Sequence, residues 1–118
     1  MTETEQLVER IKEGIQEKKG KTITIVDMTK LEAICSYFVI CEGASNTQIM
    51  AITDAVETYV RKTSNVKPFA IDGLSNATWV VMDYGDVIVH IFEKEARDFY
   101  NLEHLWSDAK LTDIPDLV

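Results

Sequence analysis

The stretch Trp79–Glu93, WVVMDYGDVIVHIFE, limits the possible folds more than any other part of the chain. Two apolar, β-branched runs flank Asp83-Tyr84-Gly85-Asp86, and a carboxylate-rich tetrapeptide with glycine between such runs is turn chemistry, so the stretch predicts an antiparallel hairpin. With Gly85 supplying a positive φ, Asp83 and Asp86 close the loop, Met82 faces Val87, Val81 faces Ile88, Val80 faces Val89 and Trp79 faces His90. Side chains alternate along a strand. One face therefore takes Trp79, Val81, Asp83, Asp86, Ile88, His90 and Phe92, and the other, with Val80, Met82, Val87, Val89 and Ile91, is wholly apolar. The apolar face is expected to be core, and the mixed face to be partly kept for another purpose.

The rest of the chain supplies layers for that hairpin. Residues 3–19 carry Leu7, Val8, Ile11 and Ile15 at helical spacing, ended by Lys18-Lys19-Gly20 with Gly20 as the cap. Thr22–Met28 is β-rich and predicts a strand with Asp27 at its end; Thr29–Ile34 predicts a turn or short helix. Tyr37–Cys41 is a continuous apolar run, as in a central strand covered on both faces. Ser45-Asn46-Thr47-Gln48 fits a capping box ahead of Ile49, Ile52, Val56, Tyr59 and Val60, which predicts a helix running to about Lys62. Lys67-Pro68 opens a short edge strand, Phe69–Asp72, followed by a loop over 73–78. Ala96, Phe99, Tyr100, Leu102, Leu105, Trp106 and Ala109 form a last helical stripe with a break at Asn101, and a loosely held tail is expected from about residue 110. The order α-β-β-α-β-β-β-α implies an α/β fold, a small mixed sheet with flanking helices, in one domain over residues 1–118.

Charge narrows the partners. The 118 residues hold 20 Asp and Glu against 12 Lys and Arg, a net charge of −8. Phosphate backbones repel such a protein, so direct nucleic-acid binding is not expected, whereas a basic protein is attracted and steered. No apolar run approaches the ~18 residues of a membrane span. The N-terminus lacks the cationic, apolar or Arg-rich character of targeting segments, so a cytoplasmic protein is expected. Cys35 and Cys41 bracket Ser36–Ile40. If Cys35 opens that strand, the two thiols share a face ~20 Å apart, beyond disulfide reach, and read as reduced, buried small hydrophobes.

Candidate chemistry is sparse. Asp83 and Asp86, with Asp27 and Asp72 at other strand ends, could hold a divalent metal for phosphoryl or nucleotidyl transfer, but turns and strand ends demand acidic residues on their own account. Gly43-Ala44-Ser45 could cradle a phosphate, although capping already explains Ser45 and Gln48. His90 lies between Ile88 and Phe92 without a metal-spaced partner, and His104 belongs to another element. No nucleophile motif and no glycine pattern for dinucleotides or nucleoside triphosphates occurs. No catalytic residue, metal or cofactor is therefore expected. Trp79 reads equally as core and as the anchor of an interface.

Taken together, Ser36-Tyr37-Phe38-Val39-Ile40 with Gly43 and Ser45-Asn46, then Trp79, then Asp83-Tyr84-Gly85-Asp86-Val87 with Val89-His90, then Phe99-Tyr100-Asn101-Leu102-Glu103 with Leu105-Trp106, resemble the ribosomal silencing factor family, also called the Iojap family. The resemblance spans roughly residues 5–110. It implies a nucleotidyltransferase-like fold without the activity. It also implies a protein that binds a basic protein at the subunit-joining face of the large ribosomal subunit, keeps the small subunit away and lowers translation when nutrients are short. Active nucleotidyltransferases carry an Asp-x-Asp pair on the strand after their Gly-Ser loop and helix, whereas Phe69-Ala70-Ile71-Asp72 offers one carboxylate. A divergent nucleotide-handling enzyme of the same fold is the alternative, and a plain dimerising scaffold a third. The family also implies a homodimer that competes with the ribosome. The mixed hairpin face and its turn, Trp79, Asp83, Tyr84, Gly85, Asp86 and His90, are expected to meet the ribosomal partner.

Overall fold

A computed structural model describes residues 2–31 and 33–117. The chain runs α1 (Glu3–Glu17), β1 (Lys21–Asp27), β2 (Tyr37–Gly43), α2 (Asn46–Ser64), β3 (Ala70–Asp72), β4 (Trp79–Asp83), β5 (Val87–Glu93), α3 (Lys94–Tyr100), α4 (Leu102–Leu105) and β6 (Lys110–Ile114). The strands form one mixed sheet in the order β3-β4-β5-β2-β1-β6. β2 and β5 pair parallel at its centre and every other neighbour is antiparallel. The α/β reading is correct, but the expected order lacks β6. Residues 110–114, read as the start of a loose tail, pair along the free edge of β1, with Thr24 opposite Asp113 and Asp27 opposite Lys110. Their side chains are almost all exposed, so no apolar alternation marks the strand.

Each long helix is set by its ends. Thr2 and Glu5 close a capping box on α1. At the other end, Gly20 N–H donates to the Ile15 carbonyl (3.1 Å) and Lys19 N–H to that of Gln16 (3.0 Å), the two bonds of a Schellman motif. The left-handed residue in it is Lys19 (φ +58), not Gly20. Gly20 is needed for closeness instead: a Cβ there would stand 2.3 Å from Ile15 Cγ2. Ser45 caps α2 as expected, accepting from Gln48 N–H (3.1 Å), while Gln48 Oε1 accepts from Ala44 N–H (2.6 Å). Gln48 Nε2 also donates to the carbonyls of Lys18 (3.1 Å) and Lys19 (3.3 Å), tying the start of α2 to the end of α1.

The hairpin forms, but its register is displaced. Trp79 faces Phe92, Val81 faces His90 and Asp83 faces Ile88. Gly85 (φ +87) is the first central residue of a two-residue turn closed by Tyr84 N–H donating to the Val87 carbonyl (2.9 Å), where the expected loop placed it second. Glycine at the first central position suits a type II′ turn, which needs only one positive φ. The displacement is two residues, an even number, so the strand residues keep their expected faces, while Asp86, expected on the mixed face, falls in the turn instead.

The wholly apolar face packs under α1 and α2. Val80, Met82, Val87, Val89 and Ile91 join Ile11, Ile15, Ile49, Ile52 and Val56 in the larger core. On the opposite face Val26, Phe38, Ile40 and Phe92 form a smaller cluster beneath α3 and α4. Cys41 belongs to the first cluster and Cys35, which precedes β2, to the second, so the thiols do not share a face as expected. Both are free, and burial pushes them up, to about 11 for Cys35 and about 12 for Cys41.

Candidate functional site

The smaller face of the sheet carries a continuous run of rings. β2 supplies Phe38, β4 supplies Trp79, β5 supplies His90 and Phe92, and α3 supplies Phe99 and Tyr100. Trp79 stacks on Phe92 (centroids 5.0 Å) and meets Tyr100 at 4.5 Å; Tyr100 meets Phe99 edge-on at 5.1 Å. Phe38 packs edge-on to His90 at 4.6 Å and to Trp106 at 5.9 Å. Such pairs are worth about 0.5–1.5 kcal/mol beyond the area they bury. The run passes from full burial at Phe92 to open solvent at Phe99, with half-buried Trp79 and Tyr100 between.

His90 organises this cluster from within. Trp79 Nε1–H donates to His90 Nδ1 (3.1 Å), which assigns the proton of a neutral imidazole to Nε2. The ring is only 6% exposed, and desolvation pushes its pKa down to about 4. Nε2 is buried without a partner among the described residues. A neutral imidazole with its acceptor engaged is a holder of Trp79, and the indole is left without a free N–H.

The six residues expected to meet a partner divide into three groups. Trp79 and His90 lie together. Asp83 sits four residues from Trp79, about 13 Å along the strand, and its Oδ1 accepts from Gly85 N–H (2.7 Å), which is turn chemistry. Asp86 is exposed at the same end, and its carbonyl accepts from the N–H groups of Ser36 (2.8 Å) and Tyr37 (3.1 Å). Tyr84 corrects the expectation of a docking side chain: it is buried in the larger core on the other face, and desolvation raises its phenol. The carboxylates weighed as a metal set do not converge. Alternation puts Asp27 on the face of Ile23 and Ile25, three strands from Asp83, and its Oδ1 accepts from Thr29 N–H (2.9 Å) and Oγ1–H (2.6 Å). Among the described residues no group of three or more His, Cys, Asp or Glu is arranged to hold a metal ion.

Sequence reasoning placed Phe99, Tyr100 and Leu105 in a helical stripe with a break at Asn101. In the fold Phe99 is 81% exposed, Leu105 69% and Tyr100 47%. The break at Asn101 (φ +47) turns the chain between α3 and α4, and the single helical phase on which the stripe rests ends there. Charge gathers on the same part of the chain. Residues 72–118 hold ten Asp and Glu against three Lys and Arg, a balance of −7 out of the total −8, and they build β4, β5, α3, α4 and β6. The exposed rings therefore belong to the most acidic part of the chain.

The model of a protein family described as "Ribosomal silencing factor during starvation" matches residues 1–118. The ribosomal silencing factor RsfS of Bacillus subtilis is 37% identical over 98 residues, covering 83% of this chain and 82% of that one. The protein of the same name from Halalkalibacterium halodurans is 31% identical over 97% of both chains. The chloroplastic protein Iojap of Zea mays is 31% identical over 84% of this chain and 42% of its own. Among solved structures, a crystal structure of a Chromobacterium violaceum protein superposes with a TM-score of 0.85 at 29% identity, covering 90% of this chain and 88% of that one.

Proposed function

The chain belongs to the ribosomal silencing factor family, and from that premise we propose that it binds the large ribosomal subunit and keeps the small subunit from joining. It represses translation in this way when nutrients are limiting. The partner is a basic ribosomal protein at the subunit-joining face, and the docking surface is the aromatic, acidic face carried by Trp79 and Tyr100. The observation that supports this most is that the half-buried and exposed rings belong to the same stretch of chain, residues 72–118, that holds nearly all the net negative charge. Large, rigid side chains anchor interfaces, and the surrounding carboxylates steer a basic partner. Asp83 and Asp86 contribute charge at the rim.

Exclusion of one subunit by a body bound to the other needs no chemical step, so the protein acts without catalysis and without a cofactor, on a nucleotidyltransferase-like scaffold. It works in the cytoplasm; among the described residues no helix is long and apolar enough to cross a membrane. The free protein forms a homodimer through the same exposed face, and the dimer competes with the ribosome. The test is light-scattering association of purified subunits. Saturating protein slows joining, and the protein co-sediments with free large subunits. Association curves that match those without the protein refute the blocking function.

A further inference from the structure

The corner between α3 and α4 carries Tyr100, and its inner side rests on the smaller cluster through Ala96, Leu102 and Trp106. α3 has seven residues and α4 four, too few to persist without tertiary support, and Phe99 and Leu105 face solvent. The polar group that ties the corner down is Arg97, 5% exposed and the one buried Lys, Arg, Asp or Glu among the described residues. Its Nε (3.1 Å) and Nη2 (2.8 Å) donate to Glu103 Oε2 in α4. Nη2 also donates to Thr24 Oγ1 (3.0 Å) and Nη1 to the Thr22 carbonyl, both in β1, and Nη1 reaches Glu42 Oε1 in β2 at 3.3 Å. The receiving backbone is irregular: the register of β1 against β2 shifts between Lys21 and Thr24. Thr22 holds φ +53, costly for a β-branched residue, and its N–H is held by Asp116 Oδ1 at 2.8 Å. Arg97's own carbonyl accepts from Asn101 N–H (2.8 Å), which closes α3 where the chain turns.

We propose that Arg97 is a positioning residue for the docking face: its guanidinium fixes the α3–α4 corner on β1 and β2 so that Tyr100 meets Trp79, without itself touching the partner. The inference rests on the docking surface proposed above. Burying a charged pair costs about as much as the attraction returns, so such a node contributes little net stability while selecting one geometry. The larger core, on the opposite face of the sheet, does not include it. Lysine replaces it only in part, because three donors on a point charge do not reproduce a planar fork that serves β1, β2 and α4 at once.

The test pairs two measurements on Arg97→Met and Arg97→Lys: hydrogen exchange resolved along the chain, and affinity for purified large subunits. Apparent affinity falls in proportion to the competent fraction, so a corner ordered a tenth of the time weakens binding about tenfold. The expected result for Arg97→Met is faster exchange confined to residues 94–106, unchanged protection in α2 and β5, and a loss of about tenfold or more; Arg97→Lys falls between it and the unmodified protein. Faster exchange throughout, or failure of both variants to fold, overturns the proposal by making Arg97 part of the general fold. Unchanged affinity with a mobile corner overturns it too, as does lost affinity with a protected corner, which would put Arg97 in contact with the partner. If the docking surface itself is misplaced, folded Trp79→Ala and Tyr100→Ala bind normally while the exchange pattern of the Arg97 variants stands, so the two failures are distinguishable.

Discussion

Trp79→Ala separates anchor from core because the residue is half-buried. Full truncation of a core tryptophan costs about 3–5 kcal/mol, so a half-buried one costs roughly 2 kcal/mol. The indole's losses are its contacts with Phe92 and Tyr100 and its hydrogen bond to His90. In a chain of this length 1 kcal/mol moves the melting temperature by about 3–5 °C, so the variant melts roughly 6–10 °C lower. With a typical stability of about 5–15 kcal/mol it nevertheless stays overwhelmingly folded at 25 °C, and unfolding alone cannot weaken binding measurably. Truncating an interface anchor, by contrast, costs ~2 kcal/mol or more, about thirtyfold in affinity. The assay is a calorimetric melt beside equilibrium binding to large subunits, with Asp83→Lys as a rim control. A folded Trp79→Ala that binds as tightly as the parent refutes the anchor; a variant already melted at 25 °C refutes the energetic reasoning.

Other expectations follow from the same geometry. Because His90 is held near pKa 4 when folded against 6.5 when free, the unfolded chain binds more protons between those values. Stability from this residue is therefore complete above about pH 6.5 and is lost as pH falls toward 4, by roughly 3 kcal/mol; His90→Phe flattens that slope in urea melts taken across the window. Gly85→Ala, forced to adopt φ +87, loses about 1–2 kcal/mol in a denaturant titration while the core spectrum is retained. Affinity for large subunits falls as salt rises, since charges are screened over ~8 Å at physiological ionic strength; a flat salt profile removes the steering role of the carboxylates. Asp72→Asn leaves subunit binding intact, and metal-dependent incorporation of labelled nucleotide that Asp72→Asn abolishes refutes the non-catalytic reading.

Much of the fold is legible where one physical rule dominates. Alternation gives both faces of β4 and β5, and capping chemistry gives the start of α2 at Ser45. What the sequence hides are the places where two rules compete. Gly20 looks like a left-handed cap, but the packing of Ile15 claims it and Lys19 takes the strained angle. Gly85 fixes that a turn exists without fixing which side of it the glycine occupies. Lys110–Ile114 has no apolar period because β1 draws on its backbone, not its side chains. Arg97 reads as an ordinary surface charge on a helical stripe, since its partners lie on β1, β2 and α4 and no local spacing announces them.

The two faces of the sheet divide the work of the molecule. One is closed by helices of fifteen and nineteen residues packed against fully buried strand positions, and it carries most of the apolar burial that opposes unfolding. The other is closed by helices of seven and four residues, a charged node and a row of rings that runs from full burial at Phe92 to open solvent at Phe99. Substitutions on the two faces should therefore differ in kind. Met82→Ala, which empties a fully buried site under α1 and α2, lowers stability by about 2–5 kcal/mol and leaves the intrinsic affinity of the folded fraction unchanged. Tyr100→Ala, on a side chain half open to water, costs far less stability and takes affinity with it. Plotting binding loss against stability loss for both sets should give two separate branches. A single line through all the variants would mean that binding follows the folded fraction alone, and that neither face is specialised.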